Sequence, residues 1–266
     1  FSASSALNET WHGIHQLQTI KSLTEDLSKE RLEKIADDLN RIAAAIFHRN
    51  NIRTALIGEP ADIEAAIGFA ESMYDKLGTT ADAGFDPPPF SPDKQFPREG
   101  WATSTAVSFV ARVFETNRMD HEDAPALAVL SKLLKSMYLH REIREKGGAY
   151  GGFSVYQMEN GLFYFGSYRD PHIVNTLNVY DAISDFIDSG PYTEQDIKEA
   201  ILQVCADLDH PDPPGNAASK AFYRKLIELS DDLRRQFKEN ILMLTLDRVR
   251  AAGQQYFGKK ETPSAV

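Results

Sequence analysis

An Asn-Gly pair between two aromatic-rich runs restricts the possible folds of this chain more than any other feature of its sequence. The stretch 150–169 alternates aromatic with smaller residues on both sides of Glu159-Asn160-Gly161. Asn-Gly between alternating runs is the strongest short-range signal for a β-hairpin. The sequence therefore predicts two antiparallel strands here. We expect their aromatic stripe to form hairpin core rather than a ligand platform; its members are Phe153, Tyr156, Phe163, Phe165 and Tyr168.

The patterns around this hairpin indicate an α+β fold. A largely apolar alternating run predicts a strand over 105–113, and apolar residues at helical spacing predict a helix over 124–144. Asp170-Pro171 is typical of a helix start, with Asp as N-cap and Pro at the first position of a helix reaching Ile187. Later patterns are all helical. The expected architecture is a mostly antiparallel sheet with helices packed on one face.

Two helix signals follow the hairpin region. Thr193 and Asp196 form a capping-box pattern that opens a helix carrying Ile197, Ile201 and Val204. Asp209 to Asn216 is a Pro-rich turn, after which 217–257 predicts two or three further helices.

The pattern of the first 78 residues predicts a helix, then a strand, then a second helix. Apolar residues recur every three or four positions from Ser28 to Phe47, the short run Ile52–Ile57 resembles a buried strand, and Pro60 opens a helix to about Lys76. One strand cannot make a sheet. Residues 1–78 are therefore predicted to be the C-terminal part of a preceding domain whose other strands lie outside this chain.

A proline-rich segment separates the two regions. Five prolines fall between Gly78 and Gly100, which predicts a linker over 79–100 and a final αβ domain over 101–266. The chain has 266 residues, enough for one large domain with a well-buried core.

Charge and composition exclude several classes of protein. The formal net charge is -10, so the long-range field repels nucleic-acid phosphates and we expect no nucleic-acid partner. The single cysteine, Cys205, excludes an internal disulfide and a Cys-based zinc finger. No apolar run approaches the roughly 20 residues of a membrane span, so a soluble protein is expected. Because any targeting segment could precede Phe1, the compartment stays open.

The common catalytic motifs are missing from the sequence. It has no G-x-S-x-G, P-loop or G-x-G-x-x-G pattern, and neither H-E-x-x-H nor H-x-x-E-H. His12 and His15, with Glu9 nearby, have a spacing that allows metal ligation on a helix, but Gly13 weakens that helix and a further ligand is lacking. An ordinary surface or packing role is preferred for both. We assign Cys205, Trp11 and Trp101 to packing.

The glycine-rich segment after the helix over 124–144 offers the candidate site. Charged residues at 140–146 are explained by a solvated helix end whose cations complement the helix dipole. Against that interpretation, Gly147 and Gly148 let the backbone approach a ligand, and Tyr150 begins a strand where its hydroxyl can point into a cleft. Arg144 offers a planar fork that binds carbonyls or carboxylates.

The same segment carries a family resemblance. Residues 141–152, reading REIREKGGAYGG, and the motif Ser167-Tyr168-Arg169-Asp170-Pro171 resemble the last domain of the pitrilysin and insulin-degrading-enzyme family of metallopeptidases. Within that family the presequence protease subfamily is the most similar. The resemblance covers most of the chain and is weaker over residues 11–75.

The resemblance implies a part of a zinc-dependent oligopeptidase that degrades unstructured peptides inside a closed chamber. Family members have four related αβ domains, the first carrying the zinc motif and the last an Arg and a Tyr that hold substrate and stabilise the oxyanion. By motif, these two are Arg144 and Tyr150, with Gly147 and Gly148 beside the substrate.

The resemblance also sets expectations for cofactor and partners. Because the zinc motif is missing, zinc is expected in an N-terminal half of the same polypeptide, which is then this chain's partner. The chain alone is expected to be inactive. The compartments that the family occupies are the bacterial cytoplasm or periplasm, or an organelle matrix. The alternative function is a non-catalytic structural or binding module of the same fold.

Overall fold

A computed structural model describes residues 2–78, 104–258 and 264–265. These residues divide into two compact units. The larger unit comprises 104–211 and the described residues from 229 onward, and the smaller comprises 2–78 and 212–228. The predicted linker over 79–100 and Trp101 lie outside the described residues, so the domain limits 1–78 and 101–266 stay predictions.

The larger unit contains an antiparallel sheet of four strands in the order β2-β3-β1-β4. The strands are β1 (Ala111–Glu115), β2 (Gly151–Gln157), β3 (Leu162–Tyr168) and β4 (Ser264–Ala265). The predicted hairpin is confirmed, because β2 pairs with β3 in a register that sets Tyr156 opposite Phe163. The turn at 158–161 ends at Gly161, whose φ of 67° is the left-handed conformation that favours glycine.

The first strand begins later than the pattern over 105–113 predicted. Ser108 forms an isolated bridge to Asp170, and the Val110 amide donates to the Ser167 hydroxyl at 3.3 Å instead of to a main-chain carbonyl. The regular ladder therefore starts only at Ala111, beyond this interruption, and it extends to Glu115.

A long buried helix crosses one face of the sheet. It begins as α5 (Ala124–Leu134) and continues with the wider winding of a π-helical segment (Lys135–Lys146), which extends the predicted helix by two residues. The remaining helices of the larger unit are α6 (Ile173–Asp181), α7 (Ile183–Ser189), α8 (Glu194–Leu208), α10 (Asp231–Leu242) and α11 (Leu246–Phe257).

The predicted helix start at Asp170-Pro171 is wrong by two residues. Asp170 is buried, and its carboxylate accepts from the His172 amide at 2.8 Å and from the Thr176 hydroxyl at 2.6 Å. This tight turn keeps Pro171 outside α6, and the predicted single helix is interrupted at Ala182. By contrast, the capping box of Thr193 and Asp196 at the start of α8 is confirmed.

The core lies between the helices and one face of the sheet. Tyr156, Phe163 and Phe165 point into it beside Leu127 and Leu130 of α5, all buried. Phe153 and Tyr168 instead belong to the opposite, more exposed face, so the expectation that the whole stripe is core was wrong for these two. We call that opposite face, which carries Val113, Phe153, Val155, Tyr164 and Tyr168, the open face. Cys205 packs against the core as expected.

The smaller unit is made of helices with exposed apolar side chains. They are α1 (Ala3–His12), α2 (Ile14–Glu25), α3 (Lys29–Ile46), α4 (Pro60–Tyr74) and α9 (Pro214–Leu226). The predicted helices at α3 and α4 are confirmed. Two or three helices were predicted in 217–257, and the structure has three, α9, α10 and α11, although α9 begins at Pro214, inside the predicted turn. The Ile52–Ile57 strand is not formed, because within the described residues no neighbouring strand pairs with it. Trp11 is exposed, so the packing role predicted for it was wrong.

None of the helices described here is long and apolar enough to cross a membrane.

A buried carboxylate ties the start of α5 to α11. Asp123 is 3% exposed. One of its oxygens accepts from the Arg248 guanidinium at 2.7 Å, and the other accepts from the Tyr256 hydroxyl at 2.9 Å and the Gln255 amide at 3.2 Å. Since three donors of α11 converge on one buried charge only if both elements are in place, this cluster orients the two helices.

We predict that Asp123→Ala lowers the free energy of unfolding by about 3 kcal/mol, because it leaves the hydrogen-bond donors of α11 without their buried partner. The matched control is Glu122→Ala. Glu122 is also near Arg248, at 3.7 Å, but its side chain is 81% exposed. We expect a change of no more than about 0.5 kcal/mol there. Urea unfolding followed by circular dichroism measures both, and equal losses in the two variants would contradict the role given to Asp123.

We also predict that the chain loses stability at alkaline pH. Burial, together with the nearby Glu142 carboxylate, raises the pKa of Tyr138 to about 12. Burial and the hydrogen bond to Asp123 raise the pKa of Tyr256 to about 12 as well. Because both folded values exceed the ordinary tyrosine value, the stabilisation is complete below about pH 10 and is lost as pH rises towards 12. Unfolding free energies measured from about pH 8 to 11 check this, and a flat profile contradicts it.

Candidate functional site

A tight turn joins the π-helical segment to β2 and carries the candidate site. The Gly148 amide donates to the Arg144 carbonyl at 3.1 Å, and the Ala149 amide donates to the Ile143 carbonyl at 3.2 Å. The Tyr150 amide then donates to the Tyr168 carbonyl at 3.0 Å, which starts the pairing of β2 with β3. Arg144 and Tyr150 are therefore held at the two ends of one fixed turn.

Both glycines of this turn have a local structural reason. A Cβ on Gly147 would lie 2.5 Å from the Ile143 carbonyl oxygen, closer than a carbon can approach. Gly148 has a φ of 75°, which side chains other than glycine rarely adopt. The turn thus requires both, and the expectation that they also lie beside a ligand stays a prediction.

Most charges at the end of the π-helical segment are paired with each other. Glu142 accepts hydrogen bonds from Arg141 and Lys146, each at 2.9 Å. Partial burial by itself would raise the pKa of Glu142, but the hydrogen bonds from Lys146 and Arg141 bring it below the ordinary value. Glu142 is therefore charged, and it pairs with both of these cations.

Arg144 stands apart from that cluster. Its guanidinium donates to His140 Nε2 at 3.2 Å, and Nδ1 of the same ring lies 3.3 Å from the Glu145 carboxylate. These contacts fit the neutral tautomer of His140 that carries its proton on Nδ1. They leave the remaining donors of an exposed, planar fork available for a carbonyl or a carboxylate.

Tyr150 is the most exposed tyrosine of the site. It is 68% exposed, and its ring packs edge-to-face against Tyr168 with centroids 5.7 Å apart. Within the described part of the chain its hydroxyl makes no hydrogen bond. The phenol is thus anchored by its ring while its hydroxyl can donate to a ligand.

The aromatic neighbours of Tyr150 were not identified as site residues from the sequence. Phe109 packs edge-to-face on Tyr168 at 5.2 Å, and the Arg169 guanidinium lies 5.7 Å from the same ring. Arg169 has a φ of 49°, unusual for a residue other than glycine. One sequence signal could have identified Tyr168. It follows Ser167 in β3, and the alternation of side chains along a strand places the Tyr168 ring on the outward side.

The described residues do not fit a zinc site. Among them no group of three or more His, Cys, Asp or Glu side chains is arranged to hold a metal ion. His12 ends α1 and His15 lies in α2, on either side of Gly13. The arrangement at Arg144 and Tyr150 can hold a polar ligand and donate hydrogen bonds, but it contains no metal centre.

Comparison with known sequences relates the chain to one peptidase family. The family described as the PreP C-terminal domain matches residues 99–252. The mitochondrial presequence protease of Saccharomyces cerevisiae is 30% identical over 276 residues, which cover all of this chain and 27% of the yeast protein. That of Drosophila melanogaster is 30% identical over 262 residues, covering 96% of this chain and 24% of the fly protein. The chain thus spans about a quarter of the length of the curated relatives it matches.

Solved structures share the fold at lower identity. A protease from Helicobacter pylori superposes with a TM-score of 0.57 at 18% identity, covering 78% of this chain and 51% of that one. An inactive peptidase domain from Bordetella parapertussis gives a TM-score of 0.52 at 17% identity, covering 62% of this chain and 92% of that one. The expected α+β fold of peptidase domains is therefore confirmed.

Proposed function

Because the chain belongs to the family of PreP C-terminal domains, we propose that it is the closing, non-zinc part of a longer presequence-protease-like oligopeptidase. In this proposal the whole polypeptide degrades unstructured peptides within a closed chamber. This chain contributes the groups that hold the peptide backbone and stabilise the charge that develops on the scissile carbonyl.

One observation carries the proposal. Arg144 and Tyr150 are both exposed at the ends of a rigid turn, and both retain hydrogen-bond donors that the fold does not use. The cations beside them, Arg141 and Lys146, are instead paired with Glu142. A purely structural turn has no need for two such unused donors.

The chemistry of these two groups suits acyl transfer to water. The Arg144 guanidinium can donate two parallel hydrogen bonds to backbone carbonyls and so orient the peptide. The Tyr150 phenol can donate to the carbonyl oxygen as negative charge develops there, an interaction stronger in the transition state than in the ground state. Among the described residues no group of three or more side chains is arranged to hold a metal ion, and we expect zinc in the upstream part of the polypeptide to activate the attacking water.

The smaller unit supports the presence of a large intramolecular partner. Leu39 and Ile42 of α3 and Phe69 of α4 lie on helices that have no buried side chain, and each is more than half exposed. We propose that the upstream part of the same polypeptide covers these faces and supplies strands beside 52–57.

The names of the relatives favour a mitochondrion among the compartments that the resemblance allowed.

The second candidate is a non-catalytic module of the same fold. It is favoured by the structural similarity to a domain described as inactive, although that similarity shows the fold alone. The two candidates differ in one respect that can be measured: only the first requires the donors of Arg144 and Tyr150 for turnover.

We predict that Tyr150→Phe in the full-length polypeptide lowers kcat by about 10² to 10³ with little effect on stability, since one oxyanion donor is lost from an exposed ring. The control is Tyr164→Phe, the same chemical change elsewhere on the open face. Steady-state kinetics on an unstructured fluorogenic peptide measure both. An unchanged kcat in Tyr150→Phe would show that this tyrosine has no catalytic role and would favour the non-catalytic module.

We predict that Arg144→Ala lowers kcat/KM by about 10- to 100-fold, with KM raised and kcat reduced, because a charged hydrogen bond that positions the substrate is removed. Arg141→Ala is the control, since it removes an arginine from the same segment whose guanidinium is paired with Glu142. A fall in melting temperature with normal kinetics in Arg144→Ala would assign the residue a structural role only.

A further inference from the structure

The two glycines that begin β2 face opposite sides of the sheet and differ in their surroundings. A Cβ on Gly152 would lie 2.8 Å from the Leu139 carbonyl oxygen and 3.0 Å from Ile143 Cβ. Gly152 is thus required for the close approach of β2 to the π-helical segment. A Cβ on Gly151 would meet no other atom of the described residues within 4 Å, and the φ of Gly151 is not positive. Neither packing nor backbone conformation explains a glycine at position 151.

A glycine without a structural reason has a cost in a strand. It weakens the strand by roughly 0.5–1 kcal/mol relative to alanine, because it loses more conformational freedom and packs nothing. Gly151 is paired with Tyr168 at the start of β2, and a glycine in a strand often marks a bulge, a bend or a place where a ligand approaches the backbone closely. The empty space over Gly151 therefore suggests a ligand that uses it.

Aromatic residues lie next to Gly151 in the chain and in the sheet. Gly151 lies directly opposite Tyr168 in the sheet register, and Tyr150, which precedes it, packs against the Tyr168 ring. Phe109 also packs against the Tyr168 ring, with centroids 5.2 Å apart. Phe109 and Tyr150 are each more than 60% exposed, and Tyr168 is 41% exposed. Several large rings left open around a bare stretch of backbone are typical of a binding surface.

We propose that Gly151 is a specificity-determining residue, whose missing side chain leaves room for a bulky apolar or aromatic side chain of the bound peptide. This inference rests on the proposed function, because Tyr150 belongs to both sites. A peptide whose backbone is held by Arg144 and Tyr150 passes the start of β2, and its neighbouring side chain then enters the space over Gly151 against Tyr168. The Arg169 guanidinium lies 5.7 Å from the centroid of the Tyr168 ring and makes a cation–π contact with it.

The test is Gly151→Val in the full-length polypeptide. A β-branched residue suits a strand and has room here, so the unfolding midpoint should be equal to or higher than that of the wild type. The substrates are two fluorogenic peptides that differ only in Phe or Ala beside the scissile bond. We expect the wild type to prefer the Phe peptide and Gly151→Val to lose that preference, with kcat/KM about tenfold lower for the Phe peptide and unchanged for the Ala peptide. The control Val113→Leu enlarges a side chain elsewhere on the open face and should leave the ratio unchanged.

The outcomes separate this inference from the proposed function. If Tyr150→Phe and Arg144→Ala slow turnover but Gly151→Val leaves the Phe-to-Ala ratio unchanged, the subsite is wrong and the function stands. An equal loss on both peptides also overturns the subsite, because it shows general obstruction rather than selection. If those two variants turn over normally, the function fails. Fluorescence anisotropy with the same two peptides then decides on the subsite: a binding preference for Phe that Gly151→Val abolishes supports it, and equal binding overturns it.

Discussion

The arrangement of the larger unit depends on the burial of one helix. Helix α5 is covered on almost all sides, and of its eleven residues only Lys132 is not buried. A helix that is apolar all round is stable only in the interior, so the sheet and helices α8, α10 and α11 must close around it. The helix then continues into the π-helical segment without a break. The position of Arg144 and the turn after it is thus fixed by the best-packed element of the fold.

The glycines of the segment GGAYGG serve two purposes: three are required by the fold, and one leaves the space that we propose a ligand fills. Gly147 and Gly148 are needed by the turn, and Gly152 is needed by the contact of β2 with Leu139 and Ile143. Only Gly151 has no such reason. A sequence motif that looks uniform therefore contains positions under different physical constraints, and these become distinguishable only when the face on which each residue lies is known.

The sequence predicted the elements whose signals are local and missed those that depend on a neighbour. The hairpin at Asn160-Gly161 and the capping box of Thr193 have their cause within a few residues, and both were found. The start of β1 depends on the Ser167 hydroxyl, and the start of α6 depends on the contact of Asp170 with Thr176. The run Ile52–Ile57 has the pattern of a strand, but a strand also needs a partner, which the described residues do not provide.

The same distinction applies to the site. Arg144 and Tyr150 were identified by their motif, and the structure places both at the surface with unused donors. Their proposed role, however, requires an environment that the described residues do not create. A hydrogen bond to a developing oxyanion contributes most where water is excluded, and Tyr150 is 68% exposed. In open solvent, water would compete for the same oxygen, and the phenol would contribute little. In the role proposed above, the contribution of Tyr150 to catalysis therefore depends on another surface that closes over it and excludes water.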